Sequence, residues 1–318
     1  MKVLVAALVG ASSFSEELRV MTYNIRTAST WALRDGGDAA NRRTWQERRR
    51  SVARTIEIAK ASIIGTQEGL AWQLEELCGL LGGGWQSVGG GRVGDASDDD
   101  EHAAIIFDST EVTLLGSRDF WLSETPALSS KSWGAALPRV ATCATFRRGD
   151  LEFSVLNVHL DHASADARAG AAIMLRDFEP PAHPFFVTGD FNAPKNERWY
   201  DILMPALKDA WTEAEDRSCG ACGQSTYHAW HGSAKPSSQW IHADDAFQTS
   251  RIAHQGHRHI DAVFVSHRTL RLGRITRARM ITDDRRRRFY GGPFASDHYP
   301  VCVHFLPAPP SSNDNKDL

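Results

Sequence analysis

The stretch Phe185-Phe186-Val187-Thr188-Gly189-Asp190-Phe191-Asn192 decides the fold. Its first four residues form a compact apolar run that breaks at a glycine turn, the pattern of a central strand covered on both faces. The turn carries two polar side chains, Asp190 and Asn192, at the end of that strand. The same arrangement recurs along the chain. Leu18 to Ile25 is rich in β formers and ends in the polar Asn24, and Ser62 to Thr66 reads as a short buried strand followed by Gln67-Glu68. Leu151 to Val158 opens in strict alternation, with Leu151, Phe153 and Val155 against Glu152 and Ser154, and closes on Asn157 and His159. Asp261 begins the strand Ile260 to Val265, and Ser296-Asp297-His298 precedes the strand Tyr299 to Phe305.

Between these strands the period changes. Trp45 to Lys60 predicts an amphipathic helix with Trp45, Val52, Ile56 and Ala59 on one face and Arg48, Arg49, Arg50 and Arg54 mostly off it. Leu70 to Leu81 predicts a helix closed by Gly82-Gly83-Gly84, and Ala165 to Phe178 a third. Short strands are expected at Ala103 to Phe107, Val112 to Leu115 and Val140 to Phe146. Many short strands mixed with helices predict an α/β fold of two stacked sheets with outer helices. Gly89 to Glu101 and Glu213 to Arg258 are too long and polar for plain connectors and read as site-bearing or mobile loops.

The 318 residues are 42% hydrophobic and 24% charged, with 36 Lys+Arg against 39 Asp+Glu. That excludes a disordered, collagen-like or small disulfide-bonded chain. No apolar run approaches the roughly 20 residues of a membrane span. With charge so nearly balanced, any contact with a polyanion is local. Two basic clusters qualify: the arginines between Arg42 and Arg54, which read equally as a solvated helix face, and Arg285-Arg286-Arg287-Arg288 on an expected loop near Asp297. Met1-Lys2, the apolar Val3 to Val9 and the small residues to Ser13 read as a minimal secretory signal over residues 1–13, hence a secreted or otherwise extracytoplasmic protein. A ragged first strand of a cytoplasmic protein is the alternative. Residues 14–306 then form the domain and 307–318 a solvated tail. Cys78, Cys143 and Cys302 sit in apolar contexts and read as buried small residues. Cys219 and Cys222 read as a local disulfide or, with His228 and His231, as a zinc site.

Any one polar strand ending is explained as a cap or turn. Six endings built from Asn, Asp, Glu and His are what a metal-assisted hydrolytic site at a sheet edge requires. Hard oxygen donors point to Mg²⁺, with Mn²⁺ or Ca²⁺ as alternatives, rather than zinc. The histidines are then free to hold a phosphate oxygen or move a proton.

Taken together, Thr22-Tyr23-Asn24-Ile25, Ile64-Gly65-Thr66-Gln67-Glu68, Asn157-Val158-His159-Leu160, Gly189-Asp190-Phe191-Asn192, His259-Ile260-Asp261 and Ser296-Asp297-His298 resemble the endonuclease/exonuclease/phosphatase superfamily. The resemblance implies a four-layer α/β/β/α sandwich of two packed mixed sheets with outer helices, similar to deoxyribonuclease I, with the site at one edge. It implies Glu68 as the principal metal ligand, helped by Asn24 and Asp297. Asp190 is similar to the residue that orients or deprotonates the attacking water, and Asn192 to a transition-state contact. His159 and His298 resemble the pair that grips the scissile phosphate, with Asp261 orienting His298. By the same resemblance Glu101 supports His159, the other reading being a solvated acidic loop.

Phe120 to Pro126 and Ser132-Trp133-Gly134 are similar to a secreted or periplasmic subset of that family. Arg139 is a candidate donor to a substrate phosphate. Trp121 and Trp133 are candidates to stack on a base or sugar or to wall the core, and core is the expectation for Trp121. The implied activity is divalent-metal-dependent phosphoester hydrolysis by in-line attack of an activated water, with a phosphodiester in nucleic acid as the leading substrate. The alternatives are a phosphomonoesterase acting on a phosphorylated sugar or lipid headgroup, and a non-catalytic binding module. Glu68, His159, Asp190, Asn192, Asp261 and His298 all hold the expected residue type, which argues against the last.

Overall fold

The computed structural model describes residues 17–94, 97–219, 225–230, 259–282 and 294–309. The 1–13 segment, the 310–318 end of the tail, Cys222, His231 and the tetrad Arg285 to Arg288 lie outside the described residues.

In chain order the described strands are β1 (Leu18–Asn24), β2 (Ile63–Gln67), β3 (Gly69–Leu70), β4 (Trp85–Val88), β5 (Glu101–His102), β6 (Ile105–Asp108), β7 (Thr113–Trp121), β8 (Val140–Arg148), β9 (Leu151–His159), β10 (Phe185–Asp190), β11 (Leu207–Asp209), β12 (Asp216–Cys219), β13 (Asp261–Ser266), β14 (Gly273–Met280) and β15 (Val301–Pro307). One sheet runs β12-β14-β15-β1-β2-β6-β4, the other β11-β13-β10-β9-β8-β7, and β3 and β5 form a small ribbon. Both large sheets are mixed, because β1 pairs β2 and β9 pairs β10 in parallel while most other pairs are antiparallel.

Helix α1 (Thr30–Arg34) follows β1 and is succeeded by α2 (Trp45–Ala59). The Glu47 carboxylate accepts from both the amide and hydroxyl of Thr44 to start α2, and Lys60 ends it in the left-handed region at φ 51°. Val52 and Ile56 of α2, with Leu74 and Leu77 of α3 (Ala71–Leu81), cover Met21, Tyr23, Ile64 and Ile106 on the outer face of the first sheet. On the second sheet α4 (Ala165–Asp177) and α5 (Arg198–Leu203) cover Leu156, Val158 and Val187. Between the sheets Val20, Ile63, Phe153, Phe186, Val263 and Phe305 interdigitate. The result is the expected α/β/β/α sandwich. Each of these fully buried side chains contributes roughly 1.5–3 kcal/mol relative to exposure. Among the described residues no helix is long and apolar enough to cross a membrane.

Several expectations are corrected. The strand expected at Val112 to Leu115 runs instead from Thr113 to Trp121 along a sheet edge, with a register shift between Leu114 and Gly116. Arg48 does not face solvent: it is fully buried against the loop that follows β1. Cys78 and Cys302 are buried free thiols, pushed up to about 11 and about 12 by burial, whereas Cys143 is half-buried.

A polar layer separates the apolar floor from the sheet edge. Asn157 Nδ2 donates to the carbonyls of Thr66 (2.7 Å) and Ala104 (2.9 Å), and its Oδ1 accepts from Gln67 Nε2 (2.8 Å) and Thr188 Oγ1 (3.0 Å). Asn157 and Gln67 are therefore bonds between the two sheets rather than edge groups. Gly65 lies in this layer, and a Cβ there would stand 2.0 Å from Thr188 Oγ1 and 2.4 Å from Asn157 Oδ1. Gly65→Ala should thus overpack the layer and break a buried hydrogen bond, costing about 2–4 kcal/mol. The check is a fall in the denaturant midpoint at unchanged m-value; a variant as stable as the wild type refutes it.

Candidate active site

Parallel pairing sets the edge. Asn24 lies opposite Gln67 in β1–β2, and Asp190 opposite His159 in β9–β10, so all four strands end at one side of the sandwich. The antiparallel β13 adds its first residue, Asp261, opposite Asp190. Beyond these ends the backbone leaves the pleat. Arg26 (φ 59°), Glu68 (φ 65°) and Asn192 (φ 53°) all adopt the left-handed conformation, at a cost of roughly 1–2 kcal/mol for a residue with a Cβ. For Glu68 the consequence is direct. Gln67 points between the sheets, so a regular strand would send Glu68 to the outer face. The left-handed turn brings its carboxylate back over the edge instead.

There Asn24 Nδ2 donates to Glu68 Oε1 (3.0 Å) and Asp190 Oδ2 (2.9 Å), while its Oδ1 accepts from the Arg26 amide (3.0 Å). The Thr27 amide donates to Glu68 Oε2 at 3.0 Å. Arg26 Nη1 lies 4.0 Å from Glu68 Oε2 and 3.9 Å from Asp297 Oδ2. On the other side Asp190 Oδ1 accepts from the Asn192 amide (2.8 Å), and Asn192 Nδ2 donates to His159 Nε2 (2.8 Å) and the Leu160 carbonyl (3.0 Å). His298 Nδ1 is bonded to Asp261 Oδ2 at 2.9 Å. Asp190 Oδ2 faces the Nε2 atoms of both histidines, 3.6 Å from His159 and 3.8 Å from His298.

The electrostatics divide these groups into opposed pairs. Burial and the Arg139 guanidinium hold His159 well below the ordinary imidazole range, which suits a neutral ring accepting from Asn192. His298 is equally buried, but Asp261 and Asp190 outweigh that penalty and raise it to about 10. The carboxyls diverge too. Burial, then the neighbouring Asp261, pushes Asp190 up to about 7. Burial also acts on Glu68, but Arg26, His159 and the Asn24 hydrogen bond overcome it and hold the group well below the usual carboxylate range. An ionised carboxylate, a carboxyl titrating near neutrality, a neutral imidazole and an imidazolium share one cleft, a set suited to acid–base work on an anion.

Five of the residues read from the sequence as site residues are brought into direct contact: Asn24, Glu68, Asp190, Asn192 and His159. His298 and Asp261 stand beside them, and Asp297 joins through Arg26. Glu101 corrects the expectation. Its Oε2 is held by Arg92 Nη1 at 2.6 Å instead of supporting His159, because the chain folds back so that the Arg92 amide also donates to the Glu101 carbonyl at 2.9 Å. Burial, then Glu68, raises Glu101 to about 7. Arg139 is buried, with Nε 3.6 Å from Asp161, Nη2 bonded to His162 (2.9 Å) and no hydrogen-bond partner for Nε itself. Trp133 packs on α4, where a Cβ on Gly170 would meet its ring at 2.4 Å, and Trp121 donates its indole N–H to the Arg92 carbonyl at 2.7 Å.

Sequence reasoning missed Arg26, Arg92 and Arg48. Arg26 directly follows the Thr22 to Ile25 motif, which was the available signal. Arg48 donates to the carbonyls of Ile25, Arg26 and Ala295, tying the loop beyond β1 to the loop that carries Asp297.

Which of these groups fit a metal follows from donor chemistry. Asp190, Asp261 and His298 each present a ligand atom within 4.8 Å of one another. In that trio His298 Nδ1 is already bonded to Asp261 and the ring is held protonated, which suits proton chemistry better than ligation. Glu68 and Asp297 instead present carboxylate oxygens toward a shared cation, the Arg26 guanidinium. Such oxygens are the donors a hard divalent ion takes.

Comparison with known proteins bears on the fold and the family. No curated protein matches the chain. An endonuclease/exonuclease/phosphatase family protein from Bacteroides thetaiotaomicron superposes with a TM-score of 0.72 at 28% identity, covering 93% of this chain and 99% of that one. The mannosyl-6-phosphatase of the same organism gives 0.71 at 28% identity, over 91% and 99%. The catalytic domain of human nocturnin shares the fold, with a TM-score of 0.60 at 16% identity over 92% and 95%. The model of the endonuclease/exonuclease/phosphatase family matches residues 21–298, and the chain belongs to that family.

Proposed function

We propose that this protein is a Mg²⁺-dependent phosphomonoesterase acting on a phosphorylated sugar. The carrying observation is the set of basic groups beside His159: Arg139, on Asp161, and Arg92, on Glu101, with His298, lower its basicity against the Glu68 carboxylate, which raises it. A phosphomonoester brings two negative charges to such a pocket and a phosphodiester one, so the pocket favours the former. The 28% identity to a mannosyl-6-phosphatase supports the same reading.

Glu68 and Asp297 with Asn24 would hold Mg²⁺, or Mn²⁺ or Ca²⁺ in its place, and the bound ion would supply charge neutralisation on a phosphate oxygen. The chain's own groups do the rest. Asp190, fixed by Asn24 and the Asn192 amide, orients water and accepts its proton. His298, kept protonated by Asp261, donates from Nε2 toward the phosphate. His159 holds the Asn192 side chain beside Asp190, so the nucleophile and the anion meet on a fixed frame.

A nuclease is the second reading, favoured by the arginines Arg285 to Arg288 of the sequence. A Mg²⁺-supplemented panel separates the two: hexose 6-phosphates, p-nitrophenyl phosphate, bis-p-nitrophenyl phosphate and DNA. A hexose 6-phosphate should exceed bis-p-nitrophenyl phosphate in kcat/KM by about a hundredfold. The reverse order, with DNA affinity falling at a log–log salt slope of about −0.7 per contact or steeper, overturns the proposal in favour of the nuclease. No turnover of any ester leaves a binding module.

A further inference from the structure

Trp31 is the one aromatic side chain that the described residues leave exposed, at 57% of its surface. Two hydrogen bonds anchor the start of its helix. Ser29 Oγ caps α1 by accepting from the Ala32 amide at 3.3 Å, and the Thr30 amide donates to the Asp99 carboxylate at 3.1 Å. Arg26 lies over the indole with its guanidinium carbon 5.5 Å from the ring centroid. The same guanidinium faces Glu68 and Asp297 at 4.0 and 3.9 Å. The ring therefore stands one arginine head away from the carboxylates that would hold the metal. The Asp99 carboxylate, exposed beside it, is an acceptor for hydroxyl groups.

We infer that Trp31 and Asp99 form the leaving-group subsite, with the apolar C–H face of a hexose stacked on the indole and a sugar hydroxyl donating to Asp99. The subsite rests on the sugar-phosphate reading above. An aromatic face next to a carboxylate fits a ring that is apolar on its faces and hydroxylated at its rim. A platform already in place also limits the ordering cost of binding. Arg26, packed on the ring and facing the two carboxylates, fixes the distance between the sugar and the phosphate positions.

The test compares wild type, Trp31→Ala, Trp31→Phe and Asp99→Asn. It measures hexose 6-phosphate turnover with Mg²⁺, inhibition by inorganic phosphate, and calorimetric binding of mannose 6-phosphate to EDTA-treated protein. Trp31→Ala should raise KM for the hexose ester about tenfold and weaken calorimetric binding in step, with kcat and the inhibition constant of phosphate within about twofold of wild type. Trp31→Phe should recover most of the loss, and Asp99→Asn should raise KM about threefold. An unchanged KM in Trp31→Ala overturns the subsite. So does a parallel rise in the phosphate inhibition constant, which would place the effect at the phosphate through Arg26. If the wild type turns over other esters but no hexose phosphate, the sugar reading itself falls and the subsite with it. If the wild type turns over hexose phosphate and the Trp31 variants match it, only the subsite falls.

Discussion

Glu68→Gln is expected to lower kcat/KM by about a thousandfold while the protein stays folded. The substitution keeps the shape and the acceptor oxygen that the Thr27 amide uses, and removes the charge that Arg26 and Asn24 hold in place. Because the substitution is isosteric and keeps the Thr27 hydrogen bond, thermal stability should change by only a few degrees. The loss should reside in the metal requirement, with the half-saturating Mg²⁺ concentration rising at least about tenfold. EDTA should inactivate the wild type, and Mg²⁺ or Mn²⁺ should restore it. Near-wild-type turnover of Glu68→Gln at saturating Mg²⁺ removes Glu68 from the ligand set. Restoration by Zn²⁺ alone points instead to a nitrogen-containing site such as the Asp190, Asp261 and His298 group.

The central strands were legible because they are dry. β1, β2, β9, β10, β13 and β15 are buried along most of their length, and each announces itself as an apolar run with polar residues at the functional end. The edge strands lack that contrast. β7 is largely exposed, so its residues need not be apolar, and its register shift breaks the alternation that remains. β14, which lies inside the sheet next to the edge strand β12, shows the effect of an irregular register more clearly. Ile275 packs inward, but the irregularity between Ile275 and Arg277 moves the inward positions onto Ala278 and Met280. A period of two read straight through that segment fails at the bulge.

The site was legible as a set of residue types, less so as a set of partners. Asn157 and Asn24 are the same residue in similar motifs. One is spent on four hydrogen bonds between the sheets, and the other joins Glu68 to Asp190 one step higher. Strand sequence does not say which pleat level is the last covered one. Glu101 goes to Arg92 for a related reason: its partner lies in the connection between β4 and β5, whose sequence has no period to read. Arg48 looked solvated because charge on a helix usually is. The carbonyls of Ile25, Arg26 and Ala295 that claim it belong to loops whose approach to α2 only the tertiary fold decides.

Asp261→Asn should move the alkaline limb of the pH–rate profile down from near 10 and so lower turnover on the alkaline side by orders of magnitude. The sign follows from the environment of His298. Burial disfavours its charged form, and Asp261 is the first of the groups that outweigh burial and raise it to about 10. Removing that carboxylate leaves only Asp190 and Asp297 to oppose burial, so the ring loses its proton at a lower pH. Asp190, raised to about 7, sets the acidic limb in the wild type, which should therefore be most active between about 7 and 10. His298→Ala should be slower by about 10³-fold or more with no alkaline limb left to move, and the double variant should be scarcely worse than His298→Ala alone. Stability offers an independent readout. A histidine whose folded pKa lies above its unfolded value of about 6.5 adds stability that is complete below that value and lost as the pH rises through the folded one. The wild-type melting temperature should then decline between about pH 6.5 and 10, and Asp261→Asn should lose that slope. An alkaline limb in the same place for both proteins, or one that persists in His298→Ala, would show that another group carries the proton and that the Asp261–His298 bond is only structural.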